Sequence, residues 1–368
     1  MEVCSTMTKA LYLVSANEFS GKTAICLGLA LKFKEAGLKV SYFKPIAPAI
    51  GSIRAGYPYD DDAHLMIESL HLPYPVTTAV AGFLERRYLD KISVEQRDAL
   101  LEKIDNLYSQ ISENSDLVIV EGARRFRDGM ALGLDPTSLA KRFQAKMIIV
   151  CKGGEDTVAD KIIVEKTVTD LNEVSLLGCI LNNVPKTMIE RVQGVVKPVL
   201  ESKNIKVLGI IPEETGLTAP SVTDIQATLQ GEVLAGEESF DRMVKHILVG
   251  AMTPSSALRF LRSVDDKVVV TGGDRADIAL LALETDTSLL VLTGNLYPDI
   301  HVISKAKEKK VPVILVSDDT YSTVSKIEAV TGRIKPNDEK KINFVKEIVS
   351  DHLDWKKILA LLDLESEA

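Results

Sequence analysis

Residues Ala10–Ala16 read ALYLVSA, and Asn17-Glu18-Phe19-Ser20-Gly21-Lys22-Thr23 follows directly. The first piece is a short apolar run of the kind expected in a strand buried on both faces. The second ends in Gly-Lys-Thr, and Gly21–Ala36 then spaces its apolar residues as a helix does, with Gly37 suited to the position after a helix C-cap. Strand, short polar loop and helix opening on Gly-Lys-Thr is the P-loop arrangement, with Ala16 in place of the usual first glycine. Its logic is physical. Backbone N–H groups and the new helix's N-terminus face a phosphate. Lys22 reaches the β- and γ-phosphates, and the Thr23 hydroxyl ligates Mg2+. The competing reading is a chance Gly-Lys-Thr in a turn, and the strand–helix junction argues against it.

Working outward, Leu38–Phe43, Asp116–Val120, Lys146–Cys151, Ser175–Leu181 and Ile205–Ile211 are further near-continuous apolar runs. Helical stretches such as Thr157–Asp170 and Lys186–Ser202 separate them. This alternation predicts an open α/β fold with a parallel sheet flanked by helices. Ligands bind beyond the carboxyl ends of such strands, so the polar residues after each strand should converge. Lys44 follows the second strand and reads either as a phosphate or carboxylate contact or as a surface lysine. Asp60-Asp61-Asp62 either hold Mg2+ through one member or form a solvated helix N-terminus. Glu121 ends Val-Ile-Val-Glu, the form of a metal or water ligand. Arg124 and Arg125 read equally as anion contacts or as a solvated pair. Asn182, before Asn183-Val184-Pro185, reads a nucleobase edge or makes a turn. Pro212 closes the sixth run.

Composition narrows the classes. A chain of 368 residues suggests two domains. With 44 Lys and Arg against 52 Asp and Glu, the formal net charge is -8, which disfavours nucleic-acid binding by bulk attraction. Aromatics are 5%, with Trp355 the single tryptophan, too few for a base-stacking platform. No apolar run is long enough for a membrane span, and Met1–Lys9 has no signal pattern, so the expectation is a cytoplasmic protein. Cys4, Cys26, Cys151 and Cys179 make no C-x-x-C pair, and the five histidines are scattered, so no zinc site or disulfide framework is expected.

The second half repeats a βα unit, with strands beginning near Val268, Leu289 and Val311 and helical patterns at 274–284, 298–309 and 320–331. The loops Thr271-Gly272-Gly273-Asp274-Arg275, Thr293-Gly294-Asn295 and Ser317–Tyr321 should face one crevice, with Asp274 placed to cap its helix. They are either a small-molecule site or turn and cap chemistry. No set of nucleophile, base and metal ligands stands out there, so this half reads as a sensor or oligomerisation unit. The polar stretch Glu213–Ala219 marks the boundary. The expected domains are 1–214, a P-loop nucleotide-binding domain; 215–335, a smaller α/β domain; and 336–368, a charged helical tail.

The set S-A-N-E-F-S-G-K-T, F-K-P-I-A, V-E-G, L-N-N-V-P and L-G-I-I-P-E resembles dethiobiotin synthetase and the cobyrinic acid amide synthases. It looks most like the dethiobiotin-synthetase-like N-terminal region of long phosphate acetyltransferases. Ala219–Val222, Ile247–Met252 and Val270–Ile278 are similar to the DRTGG domain that follows that region. The resemblance spans residues 8 to about 333. It implies ATP and Mg2+ as cofactors. Lys22 and Lys44 carry any catalysis. Asn17, Ser20, Gly21, Lys22, Thr23, Ala24, Asn182 and Pro212 bind nucleotide. Thr23, Asp61 and Glu121 hold the metal. It implies an unknown small metabolite at the DRTGG domain and a homo-oligomer, dimer or higher. Two departures matter. Ala123-Arg124-Arg125-Phe126 replaces the synthetase's small, glycine-rich segment, and nothing here resembles the acetyltransferase catalytic domain. The expectation is a regulatory ATP-binding protein without acetyltransferase activity of its own. The alternative is an ATP-dependent enzyme that activates a carboxylate.

Overall fold

A computed structural model describes residues 8–49, 53–54, 57–85, 87–214, 217, 219–328, 330 and 334–364. Cys4, Gly216 and most of the segment 50–56 lie outside the described residues. The chain divides into two compact units, Met1–Glu213 with Ile334–Ala368, and Glu214–Arg333.

The first unit is built on seven parallel strands, labelled here in chain order: β1 (Lys9–Ser15), β2 (Val40–Pro48), β3 (Val80–Leu84), β4 (Leu117–Glu121), β5 (Lys146–Lys152), β6 (Leu176–Val184) and β7 (Val207–Pro212). Their spatial order is β3-β2-β4-β1-β5-β6-β7. Five of the six expected runs are fully buried along most of their length, which explains their lack of alternation. The strand that sequence reading missed is β3, Val-Ala-Gly-Phe-Leu. Ala and Gly are poor strand formers, and it is held by pairing Lys44–Pro48 against Val80–Leu84. The helix after β1, α1 (Lys22–Glu35), carries the P-loop. A second helix, α2 (Asp61–Leu70), is capped by the Asp60 side chain on Ala63 N.

The segment expected as a charged tail is helical but packs into the first unit, as α3 (Glu339–His352) and α4 (Trp355–Leu361). Val345, Ile348 and Val349 are buried. Val349 sits so close to Gly28 that a Cβ there would lie 2.4 Å from its methyl. Leu353 forms an antiparallel bridge to Gly209, covering the otherwise open edge of β7. Charged residues are interleaved with the segment's apolar ones, which hid a stripe spaced at helical intervals.

The second unit has five strands: β8 (Glu232–Ala235), β9 (His246–Val249), β10 (Lys267–Gly272), β11 (Thr287–Thr293) and β12 (Val313–Leu315). Their order is β8-β12-β11-β10-β9, parallel except for β8. The three anticipated strands are β10, β11 and β12; β8 and β9, at the two edges, were not anticipated. No helix among the described residues is long and apolar enough to cross a membrane.

Candidate functional site

Every strand of the first sheet runs the same way, so the ends of β1, β2 and β4 and the start of α1 meet at one edge. The loop 16–21 is latched at three points. Ser15 Oγ and Ser20 Oγ lie 2.8 Å apart. The Asn17 amide donates to Lys152 O at 3.2 Å and accepts from Lys152 N at 2.9 Å. Asn182 Nδ2 donates to Ser20 O at 2.7 Å. Gly21 has φ +76°, and a Cβ there would fall 2.4 Å from Asn182 Nδ2, so only glycine serves. No side chain caps α1 and its first turn carries no acid, which leaves its N-terminal amides to an anion.

Below the loop lies a buried charge network. Glu121, 1% exposed, receives four groups. Thr23 Oγ1 donates to Oε1 at 2.9 Å and Tyr42 OH to Oε2 at 2.9 Å. The ammonium groups of Lys22 and Lys44 each stand 3.7 Å from Oε1. Lys22 also donates to Ala123 O at 3.0 Å. Lys44, 2% exposed, donates to both Asp60 oxygens at 3.0 and 2.9 Å and to Asp62 at 2.8 Å. Burial alone would lower the Lys44 pKa, but the charges of Asp62, Glu121 and Asp60 raise it well above its ordinary value. Burial raises Asp60, against the opposing charge of Lys44. Burial, then the Glu121 charge, pushes the Tyr42 phenol far up, so it keeps its proton and donates.

Several expected residues thus come together and others do not. Lys22, Thr23, Lys44 and Glu121 converge. Of the three aspartates, Asp60 and Asp62 bond Lys44, whereas Asp61 opens α2. Asn17, Ser20 and Asn182 hold the loop; the Asn182 nitrogen expected on a base is engaged by Ser20 O. Ala24 lies half-buried in the first turn of α1. Pro212 pairs with Val184 at the end of β7, with β5 and β6 between it and β1. Arg124 and Arg125 both turn to Glu18 of the loop. Sequence reading missed Tyr42, and from the trio Asp60–Asp62 it singled out Asp61 rather than the two that bond Lys44. Tyr42 shares the Lys44 face of β2 by strand alternation, a signal present in Ser41-Tyr42-Phe43-Lys44.

A Mg2+ ion takes oxygen ligands and is held by one or two carboxylates plus phosphate oxygens and water. Among the described residues no cluster of three His, Cys, Asp or Glu forms a ready cage. The Thr23 hydroxyl beside the Glu121 carboxylate, at the uncapped start of α1, is a donor set that fits Mg2+ arriving with a phosphate.

In the second unit the three strand-end loops lie side by side. Thr293 Oγ1 is 2.9 Å from Thr320 Oγ1 and donates to Thr271 O at 3.3 Å, and Gly294 N donates to Asp318 O at 3.0 Å. Arg275 pairs with Asp277 and donates to Met252 O at 2.8 Å. The expected Asp274 cap is not made: Arg275 occupies the N-cap position and the helix begins at Ala276.

Residues 9–221 match the family model of an AAA domain, and residues 224–330 that of a DRTGG domain. The phosphate acetyltransferase of Pseudomonas putida is 28% identical over 361 residues, covering 93% of the chain and 50% of that protein. That of Synechocystis sp. is 25% identical over 371 residues, covering 97% of the chain and 52% of that protein. The chain spans about half the length of these curated relatives. Among solved structures, the MinC:MinD cell division protein complex of Aquifex aeolicus aligns with TM-score 0.36 and 19% identity, over 57% of this chain and 83% of that one.

Proposed function

From the premise that the chain belongs to the AAA domain family through residues 9–221, we propose that its first unit binds ATP with Mg2+ and that its DRTGG domain senses a small metabolite. On this reading the 368 residues transfer no acetyl groups by themselves. The observation that carries the proposal is the convergence of Lys22, Thr23 and Glu121 beneath a loop latched at Ser15, Asn17 and Asn182. Lys22 and the loop amides would hold the phosphates, and Thr23 and Glu121 the metal, with Asp62, which bonds Lys44 beside Glu121, as a third acid at this edge. The metal would neutralise phosphate charge.

The alternative, a carboxylate-activating enzyme, needs a free cation for the acid substrate. Lys44 is the resemblance's candidate, and its donors are already taken by Asp60 and Asp62. Arg124 and Arg125 are turned to Glu18. That supports the binding and sensing reading over the enzyme. The polar loops at Thr271, Thr293 and Thr320 support the sensor site.

The test is calorimetric titration with ATP, with and without Mg2+, followed by phosphate release in the presence of a panel of carboxylates. Mg2+-dependent binding without stimulated release is expected. Carboxylate-stimulated release at about 1 s⁻¹ or faster would favour the enzyme. Thioester formation from acetyl phosphate and coenzyme A at such a rate would show that these residues do transfer acetyl groups.

A further inference from the structure

Glu121 at the end of β4 meets side chains from both α1 and β2, and its two oxygens face different ways. Oε1 takes Thr23 and stands near both lysines. Oε2 takes the Tyr42 hydroxyl at 2.9 Å. Tyr42 is fully buried, so its ring cannot swing away. Its backbone is fixed as well. Tyr42 N donates to Tyr74 OH at 3.0 Å, and that hydroxyl donates to Tyr42 O at 2.9 Å, bridging β2 just before its pairing with β3 begins at Lys44.

A carboxylate anchored through one oxygen has its plane and rotamer decided. The other oxygen is then presented in a fixed direction. A free carboxylate on the same strand could instead turn both oxygens onto Lys22 and Lys44 and be lost as a ligand. A Phe at this position would fill the same space and leave Oε2 without its donor.

We propose, resting on the reading that Glu121 and Thr23 receive Mg2+ with ATP, that Tyr42 is a positioning residue: its hydroxyl anchors Glu121 Oε2 and so presents Oε1 beside Thr23 for the metal. Tyr42 contacts neither phosphate nor metal on this account. It determines how much Mg2+ adds to ATP affinity, and leaves the metal-free component of binding alone.

The experiment is a double-mutant cycle on the full chain, with ATP titrated by calorimetry in Mg2+ and in EDTA. The ratio of the two affinities is the magnesium gain. Tyr42→Phe is expected to reduce that gain by about tenfold, the loss of one hydrogen bond to a charged group. Its EDTA affinity should stay within about twofold of wild type. In a Glu121→Gln background, Tyr42→Phe should change nothing further, because the charge it positions is gone. A full magnesium gain in Tyr42→Phe overturns the proposal. So does an equal loss in EDTA, which marks a structural role, or additivity across the cycle, which means that Tyr42 acts elsewhere.

Wild type that binds no ATP overturns the nucleotide reading itself, a separate and recognisable result. Circular dichroism checks each variant's fold. A second measurement needs no variant: with fluorotyrosine incorporated throughout, a buried resonance should move when Mg2+ joins the ATP complex and not when ATP binds in EDTA. Absence of any such resonance also overturns the proposal.

Discussion

Replacing Lys44 by Met isolates what the buried network contributes, because methionine keeps most of the stem and deletes the charge. The ammonium lies 2.8 to 3.0 Å from the oxygens of Asp60 and Asp62 and 3.7 Å from Glu121. Removing one partner from a buried ion pair costs about 3–5 kcal/mol, because the remaining charge is stranded. Two facts favour the lower figure. The Asp62 side chain is 43% exposed, so water screens it, and Glu121 keeps Lys22. About 3 kcal/mol in a unit of this size corresponds to a fall of ~10 °C in Tm. The pH dependence adds a second signature. The raised pKa of Lys44 means that its contribution is fully present below the ordinary value of 10.5 and is lost only as pH rises through the folded value. Wild type therefore keeps it throughout the neutral range. In the variant, Asp60 loses the charge that opposed its burial, so its pKa, already above 3.8, rises further. The folded state then holds a proton that the unfolded state releases, and stability falls as pH climbs above the ordinary Asp value. The deficit measured by thermal unfolding should be smaller at about pH 5 than at about pH 7.5. An unchanged Tm near neutrality, or the same deficit at both pH values, refutes the network as drawn. Full stability with loss of a carboxylate-stimulated turnover would put Lys44 on a substrate instead.

Lys22→Ala should weaken ATP binding by on the order of 2 kcal/mol, about 30-fold by calorimetry, if its phosphate contact is desolvated; equal affinities would remove the P-loop assignment. Glu165 has a buried oxygen without a hydrogen-bond partner among the described residues, and burial, against the opposing charges of Arg127 and Lys161, pushes its pKa up to about 8. Because that value is raised, its contribution to stability is present below 4.5 and declines as pH rises toward 8. Glu165→Gln should therefore lie close to wild type near pH 5 and exceed it by about 3–4 kcal/mol near pH 8 in urea unfolding, as a rise from 4.5 to about 8 implies at ~1.4 kcal/mol per unit, and a constant difference would refute this. Deleting residues 334–368 should destabilise the first unit by about 5 kcal/mol or more, since Val345, Ile348, Val349, Ile358 and Leu359 leave buried sites; a fragment with unchanged Tm would show that α3 and α4 add nothing.

The candidate site was legible because its chemistry is local. Gly21, Lys22 and Thr23 are consecutive, and Glu121 ends an apolar run, so each declares itself within a few residues. What was not legible is how charges pair across strands. Lys44 read equally as a surface residue and as a ligand contact, and only the return of Asp60 and Asp62 at the start of α2 decides its partners. Asn182 shows the same limit. Its amide is the right type to read a base, yet the closeness of β6 to the loop brings its nitrogen to Ser20 O.

The C-terminal segment shows why composition misleads where periodicity is short. Asn337–Ala368 is rich in Lys, Asp and Glu, which reads as a solvated tail. Its apolar residues are as frequent as in the rest of the chain but are interleaved with charge, and Val345, Ile348, Val349 and Leu353 fall at intervals that form one face of a helix and its exit. That face has a defined receptor only in three dimensions. Gly28 of α1 and Gly209 of β7 are both glycines at which a Cβ would collide with this segment, at 2.4 Å from Val349 and 2.1 Å from Leu353. Both glycines precede the segment by more than a hundred residues, so no local pattern links them to it. The same segment joins Lys346 to Glu35 at 2.6 Å and brings Trp355 under Lys32 at 5.1 Å. The helix that carries Lys22 and Thr23 at its first turn is therefore buttressed on its far side by residues from the other end of the chain. A change that loosens α3 is expected to be felt at the candidate site through α1, although no residue of α3 lies in it.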